Sequence, residues 1–204
     1  GHLVVSAPSQ NNLRVTVHGV SAHAGAQPEK GINAIRIAAE AIAALPLGRI
    51  DFETTSNIGI IEGGTARNIV PDRVQVIGEA RSRDNAKLEA VTAEMVQVFN
   101  AAAKRYAMPL DVTVTRTYTT YRLAAEEPVV RTVADAARRL GHEVVLRASG
   151  GGTDGNIYTA AGIPCVVIST GMAEVHTPNE HIAIADMHAC AELLLAAVQS
   201  FAAN

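Results

Sequence analysis

The sequence predicts an α+β domain of the ferredoxin-like kind, a four-stranded antiparallel sheet with two helices on one face, joined to an incomplete α/β portion. Two observations predict it. Residues 10–117 read strand–helix–strand–strand–helix–strand, the order of a split βαβ unit. After Tyr118 strand and helix alternate, as in an α/β layer, but with only two strands, too few to complete one.

Each element has its own signal. Gly1 to Pro8 reads as a strand entered from something earlier, so a preceding segment is expected. Leu13, Val15 and Val17 alternate with Arg14, Thr16 and His18, which predicts a half-buried strand. A loop of small residues follows from Ser21 to Gly31. From Asn33, apolar residues at 34, 35, 37, 38, 41, 42 and 45 keep helical spacing until Pro46 and Gly48 stop the helix. Ile58 and Ile60 open a second strand that ends at Gly63 and Gly64. Val74 and Val76 mark a third, with Arg73, Gln75, Glu79 and Arg81 on its other face. Asp84 can cap a helix whose buried stripe is Leu88, Val91, Met95, Val98, Phe99 and Ala102. Asp111 to Thr117 alternates again as a fourth strand.

In the second half, Pro128 suits a helix start and Gly141 its end. Val144 to Leu146 predicts a short strand, Gly150 to Asn156 a glycine-rich turn, and Ile157 to Ala161 a short helix. Cys165 to Ile168 is uniformly apolar, as in a strand buried on both faces. Asp186 can cap a last helix, with Met187, Cys190, Leu194, Ala197 and Phe201 on one side.

Composition narrows the function. Residues are 48% hydrophobic but only 3% aromatic, with no Trp, which gives no stacking platform for single-stranded nucleic acid. The net charge of −3 supplies no basic field for phosphates. Cys165 and Cys190 form no Cys-x-x-Cys and read as reduced core residues of a cytoplasmic protein. No apolar run reaches the roughly 20 residues that cross a bilayer, so no membrane partner is expected.

Four segments could carry chemistry. His176 follows the apolar strand 165–168, at the carboxyl end where open α/β sheets place ligands. Its imidazole could bind a metal, with Glu180 or another carboxylate orienting it; the plain alternative is a hydrogen-bonded loop histidine. Pro178 excludes a helical His-Glu-x-x-His site. The run Gly150 to Asn156 exposes backbone N–H groups to an anion, or is simply a tight turn. His23 sits between alanines, where a structural role is the ordinary one. Asn68 lies in a loop and Arg81 on a polar strand face, positions that serve solvation as readily as binding.

Their order and spacing together resemble the cocatalytic zinc metallopeptidase family that contains peptidase T, carboxypeptidase G, aminoacylase and succinyl-diaminopimelate desuccinylase. The matching segments are His18–Ala34 (HGVSAHAGAQPEKGINA), Gly64–Asp72 (GTARNIVPD), Gly78–Ser82 (GEARS), Gly151–Asn156 (GGTDGN) and Val175–Ile182 (VHTPNEHI). The second and last are most similar to peptidase-T-like members.

The resemblance implies a cytoplasmic homodimer with short peptides as substrates. It makes residues 10–117 a dimerising lid, and residues 1–9 and 118–204 the C-terminal part of a catalytic domain holding two zinc ions. It makes His176 a metal ligand, and His23 a catalytic residue that reaches the partner subunit's site and stabilises the oxyanion. Asn68, Arg81 and the turn Gly151, Gly152 and Thr153 become substrate-binding residues. The family's remaining metal ligands precede the lid and are absent from this sequence, so the isolated chain is expected to bind no zinc there with useful affinity and to hydrolyse nothing. Two other readings stay open: an N-acyl amino acid amidohydrolase or carboxypeptidase of the same family, and a non-catalytic dimerisation or binding module.

Overall fold

A computed structural model describes residues 2–202; Gly1, Ala203 and Asn204, which the sequence reading assigns to the catalytic portion, lie outside the described residues. In chain order the elements are β1 (His2–Ala7), β2 (Ser9–His18), β3 (Ala22–His23), α1 (Ala34–Ala44), β4 (Gly48–Arg49), β5 (Thr54–Gly63), β6 (Ile69–Val70), β7 (Arg73–Ser82) and α2 (Asn85–Arg105). Then come β8 (Leu110–Tyr118), β9 (Tyr121–Arg122), α3 (Pro128–Arg139), β10 (Val145–Ala148), α4 (Asp154–Ala160), β11 (Val167–Ile168) and α5 (Ile184–Ala202). They form two compact units: an inserted unit, Ser9–Tyr118, and a split unit, Gly1–Pro8 with Thr119–Asn204.

The inserted unit is built on an antiparallel sheet in the order β4-β5-β7-β2-β8. Alternation in β2 and β7 turns Leu13, Val15, Val17, Val74 and Val76 to one face, where they are buried. Both helices cover that face: Ile37, Ala38 and Ala41 of α1 and Leu88, Met95 and Phe99 of α2 share its core. Burying each large side chain there contributes ~1.5–3 kcal/mol. The helices start where the sequence can satisfy free N–H groups. Asn33 Oδ1 accepts from the N–H of Arg36 at 3.1 Å, and Asp84 Oδ1 from those of Ala86 at 2.7 Å and Lys87 at 3.2 Å.

Two features depart from the expected four strands. A fifth strand, β4, pairs Gly48 with Ser56 and Arg49 with Thr55; two residues give no alternation to read. The neighbouring β5 also begins four residues early, because Thr54 and Ser56 are buried although polar. Thr54 Oγ1 shares a 2.9 Å hydrogen bond with Ser82 Oγ, so hydroxyls fill a place that hydropathy assigns to aliphatic groups. Since β4 covers only Thr55 and Ser56, the stretch from Asn57 to Gly63 has, among the described residues, a strand on one side only. Ile60 and Ile61 on it are about half exposed.

In the split unit β1 is central: it runs parallel to β10 and antiparallel to β9 and β11. Leu3 of β1 packs with Val133, Ala134, Ala136 and Ala137 of α3 and Leu193 and Ala197 of α5. A second cluster gathers Ala7, Tyr121, Leu123 and Val130. The segment Cys165–Ile168 is only half-buried, and just Val167 and Ile168 pair, with Val4 and Leu3. The uniform apolar run therefore overstated the strand: among the described residues β1 alone offers it a ladder. Helix α5 starts at Ile184, so Asp186 lies in its first turn, near the positive end of the dipole, rather than capping it. Its packed stripe is Cys190, Leu193 and Ala197, while Met187, Leu194 and Phe201 are exposed. The expected single stripe merges two apolar faces. Contrary to the sequence expectation, α5 is by length and composition a helix that could cross a membrane. It nonetheless carries Asp186, His188 and Glu192.

Candidate active site

In the inserted unit, β3 and β6 form a two-residue ladder beside the main sheet, pairing Ala22 with Val70 and His23 with Ile69. The ladder continues as the N–H of Ala24 donates to the carbonyl of Asn68 at 2.9 Å. Two of the expected site residues, His23 and Asn68, are thereby held as neighbours. The close fit of Gly31 keeps this corner tight, since a Cβ there would stand 2.9 Å from Val70 Cβ and 3.0 Å from Ala22 Cβ.

His23 is exposed, and its Nδ1 accepts the backbone N–H groups of Gly25 and Ala26, each at 3.1 Å. An Nδ1 that accepts cannot carry the proton, so the neutral ring bears it on Nε2 and offers an outward N–H donor. A lone histidine between alanines gave no hint of this; the small residues at 25 and 26 are what let the backbone turn onto its ring.

Arg81 lies eight residues beyond Arg73 on β7, paired with Gln10 and Thr55 at the far end of the sheet. Eight strand residues span ~27 Å, so one copy of the chain does not bring Arg81 to His23 and Asn68. Its guanidinium is not simply solvated. Nη2 stands 3.0 Å from Glu79 Oε2 and 2.8 Å from Oε1, and Nε is buried without a hydrogen-bond partner. Burial pulls its pKa down, but the Glu79 carboxylate outweighs that and the net shift is upward. The orphaned Nε is a donor waiting for an acceptor.

In the split unit the turn before α4 is ordered by its own side chains. Thr153 caps the helix: its hydroxyl accepts the N–H of Gly155 at 3.2 Å, while its own N–H donates to Asn156 Oδ1 at 2.9 Å. Gly151 donates to Ser149 Oγ at 3.0 Å. Asn156 is fully buried, and its Nδ2 donates to the carbonyls of Pro8 at 3.0 Å and Thr119 at 2.8 Å. The last residue of the turn thus ties together the two points where the chain leaves the unit, a role that a glycine-rich turn does not announce. The Thr-x-x-Asn spacing was the available signal.

His176 stands on an exposed loop beyond β11, held by an antiparallel bridge between Ala173 and His181. Neither ring nitrogen has a hydrogen bond among the described residues. Glu180 does not orient the ring, as one reading expected; its Oε2 accepts the backbone N–H of His176 at 2.7 Å. No three His, Cys, Asp or Glu side chains converge on a metal-sized space among the described residues. The donor set here is one imidazole, of the kind that binds zinc, where a catalytic zinc takes three protein ligands. It fits as one member of such a set.

Residues 9–107 match the family described as peptidase dimerisation domain, and residues 121–193 match M42 glutamyl aminopeptidase. The chain is 41% identical over 202 residues to the uncharacterized protein YqjE of Bacillus subtilis, covering 99% of this chain and 54% of the relative. Among solved structures it is similar to aminopeptidase PepT from Bacillus cereus, with a TM-score of 0.85 and 45% identity, covering 99% of this chain and 54% of that one. A tripeptidase from Staphylococcus aureus gives a TM-score of 0.90 and 36% identity, covering 100% and 54%. The chain thus spans about half the length of the proteins it matches.

Proposed function

We propose that this chain belongs to the peptidase family whose dimerisation domain matches residues 9–107, and that the complete protein hydrolyses short peptides in the manner of a zinc-dependent tripeptide aminopeptidase. Its setting is cytoplasmic and its partner a second copy of itself. What supports the reading most is His176, an exposed imidazole with both nitrogens uncommitted, on a loop after the strand β11 of the aminopeptidase-matched unit.

Each residue then has a task set by its geometry. His176 would hold one of two zinc ions, which when bound polarise the scissile carbonyl and make hydroxide available near neutral pH. His23 offers its Nε2–H to the oxygen that becomes negative. The Arg81 guanidinium takes a substrate carboxylate, with Nη2 kept in place by Glu79. Asn68 adds an amide beside His23, and the turn at Gly151, Gly152 and Thr153 contributes a substrate-binding wall held in shape by its own bonds to Ser149 and Asn156. The ~27 Å that separates Arg81 from Arg73 along β7 favours a site shared by two copies, Arg81 from one and His23 with Asn68 from the other.

The test is made on the protein translated from the full coding sequence and on the 204-residue chain in parallel. Expected from the full-length protein are bound zinc by elemental analysis and release of the N-terminal residue from free-amine tripeptides, faster than cleavage of N-blocked dipeptides. Preference for the blocked substrates would make it an amidohydrolase or carboxypeptidase instead. The 204-residue chain should bind no zinc at this site and release nothing; turnover above blank would overturn that part.

A further inference from the structure

Two residues in the loop after β11 hold left-handed backbones without being glycine: Glu174 at φ 52° and His176 at φ 67°. A Cβ disfavours that region, so it persists only where surrounding bonds over-determine it. The bonds that do so lie within the loop. Ala173 and His181 exchange N–H···O bonds of 2.9 and 3.2 Å, and the N–H and hydroxyl of Thr177 both donate to the carbonyl of Glu174, at 3.1 and 2.7 Å. Asn179 N–H donates to Thr177 Oγ1 at 3.2 Å, and Glu180 N–H to the carbonyl of Thr177 at 3.1 Å. His181 Nδ1 lies 2.8 Å from the carbonyl of Asn179.

None of these bonds reaches His176 itself; among the described residues one further bond does, and it comes from a carboxylate. Resting on the reading of His176 as a zinc ligand, we infer that Glu180 is its positioning residue, acting through the backbone. The charge-assisted N–H···O⁻ bond of 2.7 Å fixes the left-handed turn at His176. That turn sets the direction in which Cβ, and so the imidazole, leaves the loop. Because Glu180 grips the main chain, the ring's two nitrogens stay available: one for the metal, one for a later hydrogen bond. A carboxylate bonded to the ring instead would occupy one of them. Ligands need sub-ångström placement, which loops seldom give unless they are braced internally as this one is.

The experiment compares Glu180→Ala, Glu180→Gln and His176→Ala. In the 204-residue chain, ¹⁵N NMR follows the amide of residue 176; Glu180→Ala should shift it and speed its hydrogen exchange, with the melting temperature little changed. In the full-length protein, zinc affinity is read by chelator competition. Glu180→Ala should lose roughly tenfold to a hundredfold, as second-layer substitutions do, while Glu180→Gln, which keeps an acceptor oxygen, retains most of it. Zinc lost in His176→Ala but kept in Glu180→Ala overturns this inference alone, as does an unmoved amide. Zinc kept in His176→Ala overturns the ligand reading and the inference with it.

Discussion

His23 shows how a weak sequence signal becomes a defined chemical group. Two backbone N–H groups on Nδ1 leave the ring with a single tautomer and one outward donor. In the full-length protein, His23→Ala is expected to lower kcat by ~10²–10³ with KM little changed, the usual effect of removing an oxyanion donor. A loss confined to KM, in steady-state kinetics on a tripeptide, would assign it to binding instead. Other single residues were legible only after folding. Gly78 opens one of the segments that carry the resemblance, but its place mid-strand in β7 has no signal in hydropathy. A Cβ there would stand 2.6 Å from the backbone oxygen of Asn57, opposite the register shift between Ile58 and Ile60. Asn156 looked like the tail of a glycine-rich turn, and its buried amide is in fact the turn's anchor.

At the scale of elements, the helices α1, α2 and α3 were readable because Asn33, Asp84 and Pro128 announce their starts and apolar spacing gives their buried faces. The short strands were not. β3, β4, β6 and β9 have two residues each, too few for any period, and form because a neighbour offers a ladder. Helix α5 defeated its stripe because it is apolar on both sides. The free stretch of β5 carries a prediction. Ile60 and Ile61 of β5 are about half exposed at an edge with an unused row of backbone groups among the described residues, the kind of edge that pairs with another chain. If the proposed dimer forms through this edge, Ile61→Lys should lower the sedimentation coefficient below that of the parent at equal concentration; equal coefficients would move the interface elsewhere. The turn before β5 carries another. Asp51 is held well below the usual carboxylate range, first by the backbone N–H of Glu53, then by Lys87 at 2.9 Å. Its folded-state pKa is the lower one, so its contribution is present at neutral pH and disappears as pH falls through that value. Lys87→Met should raise the Asp51 titration toward the ordinary range, followed by carboxyl ¹³C NMR; an unmoved titration would leave the backbone bonds as the whole cause.

At the scale of the molecule, each hydrophobic core draws on one unit only: the largest on residues 13–112, the other two on residues 3–7 and 121–197. A fragment of residues 9–118 is therefore expected to fold alone and unfold in one cooperative urea transition; a chain with dispersed NMR signals only in the presence of the rest would refute it. The aliphatic composition and strand–helix order made this two-part plan legible. The placement of Arg81 far from His23 was not, because both lie on polar strand or loop positions that sequence spacing cannot locate along a sheet. The join between the parts has one further consequence. Ala7 of β1 pairs with Tyr121 of β9, and Asn156 clasps the carbonyls of Pro8 and Thr119. Seen from the split unit, the 110 residues from Ser9 to Tyr118 are the tip of a hairpin. Cutting them out and closing the gap with a tight turn leaves that hairpin's stem intact, so the site of insertion doubles as a ready-made graft point for a foreign domain whose own ends lie side by side.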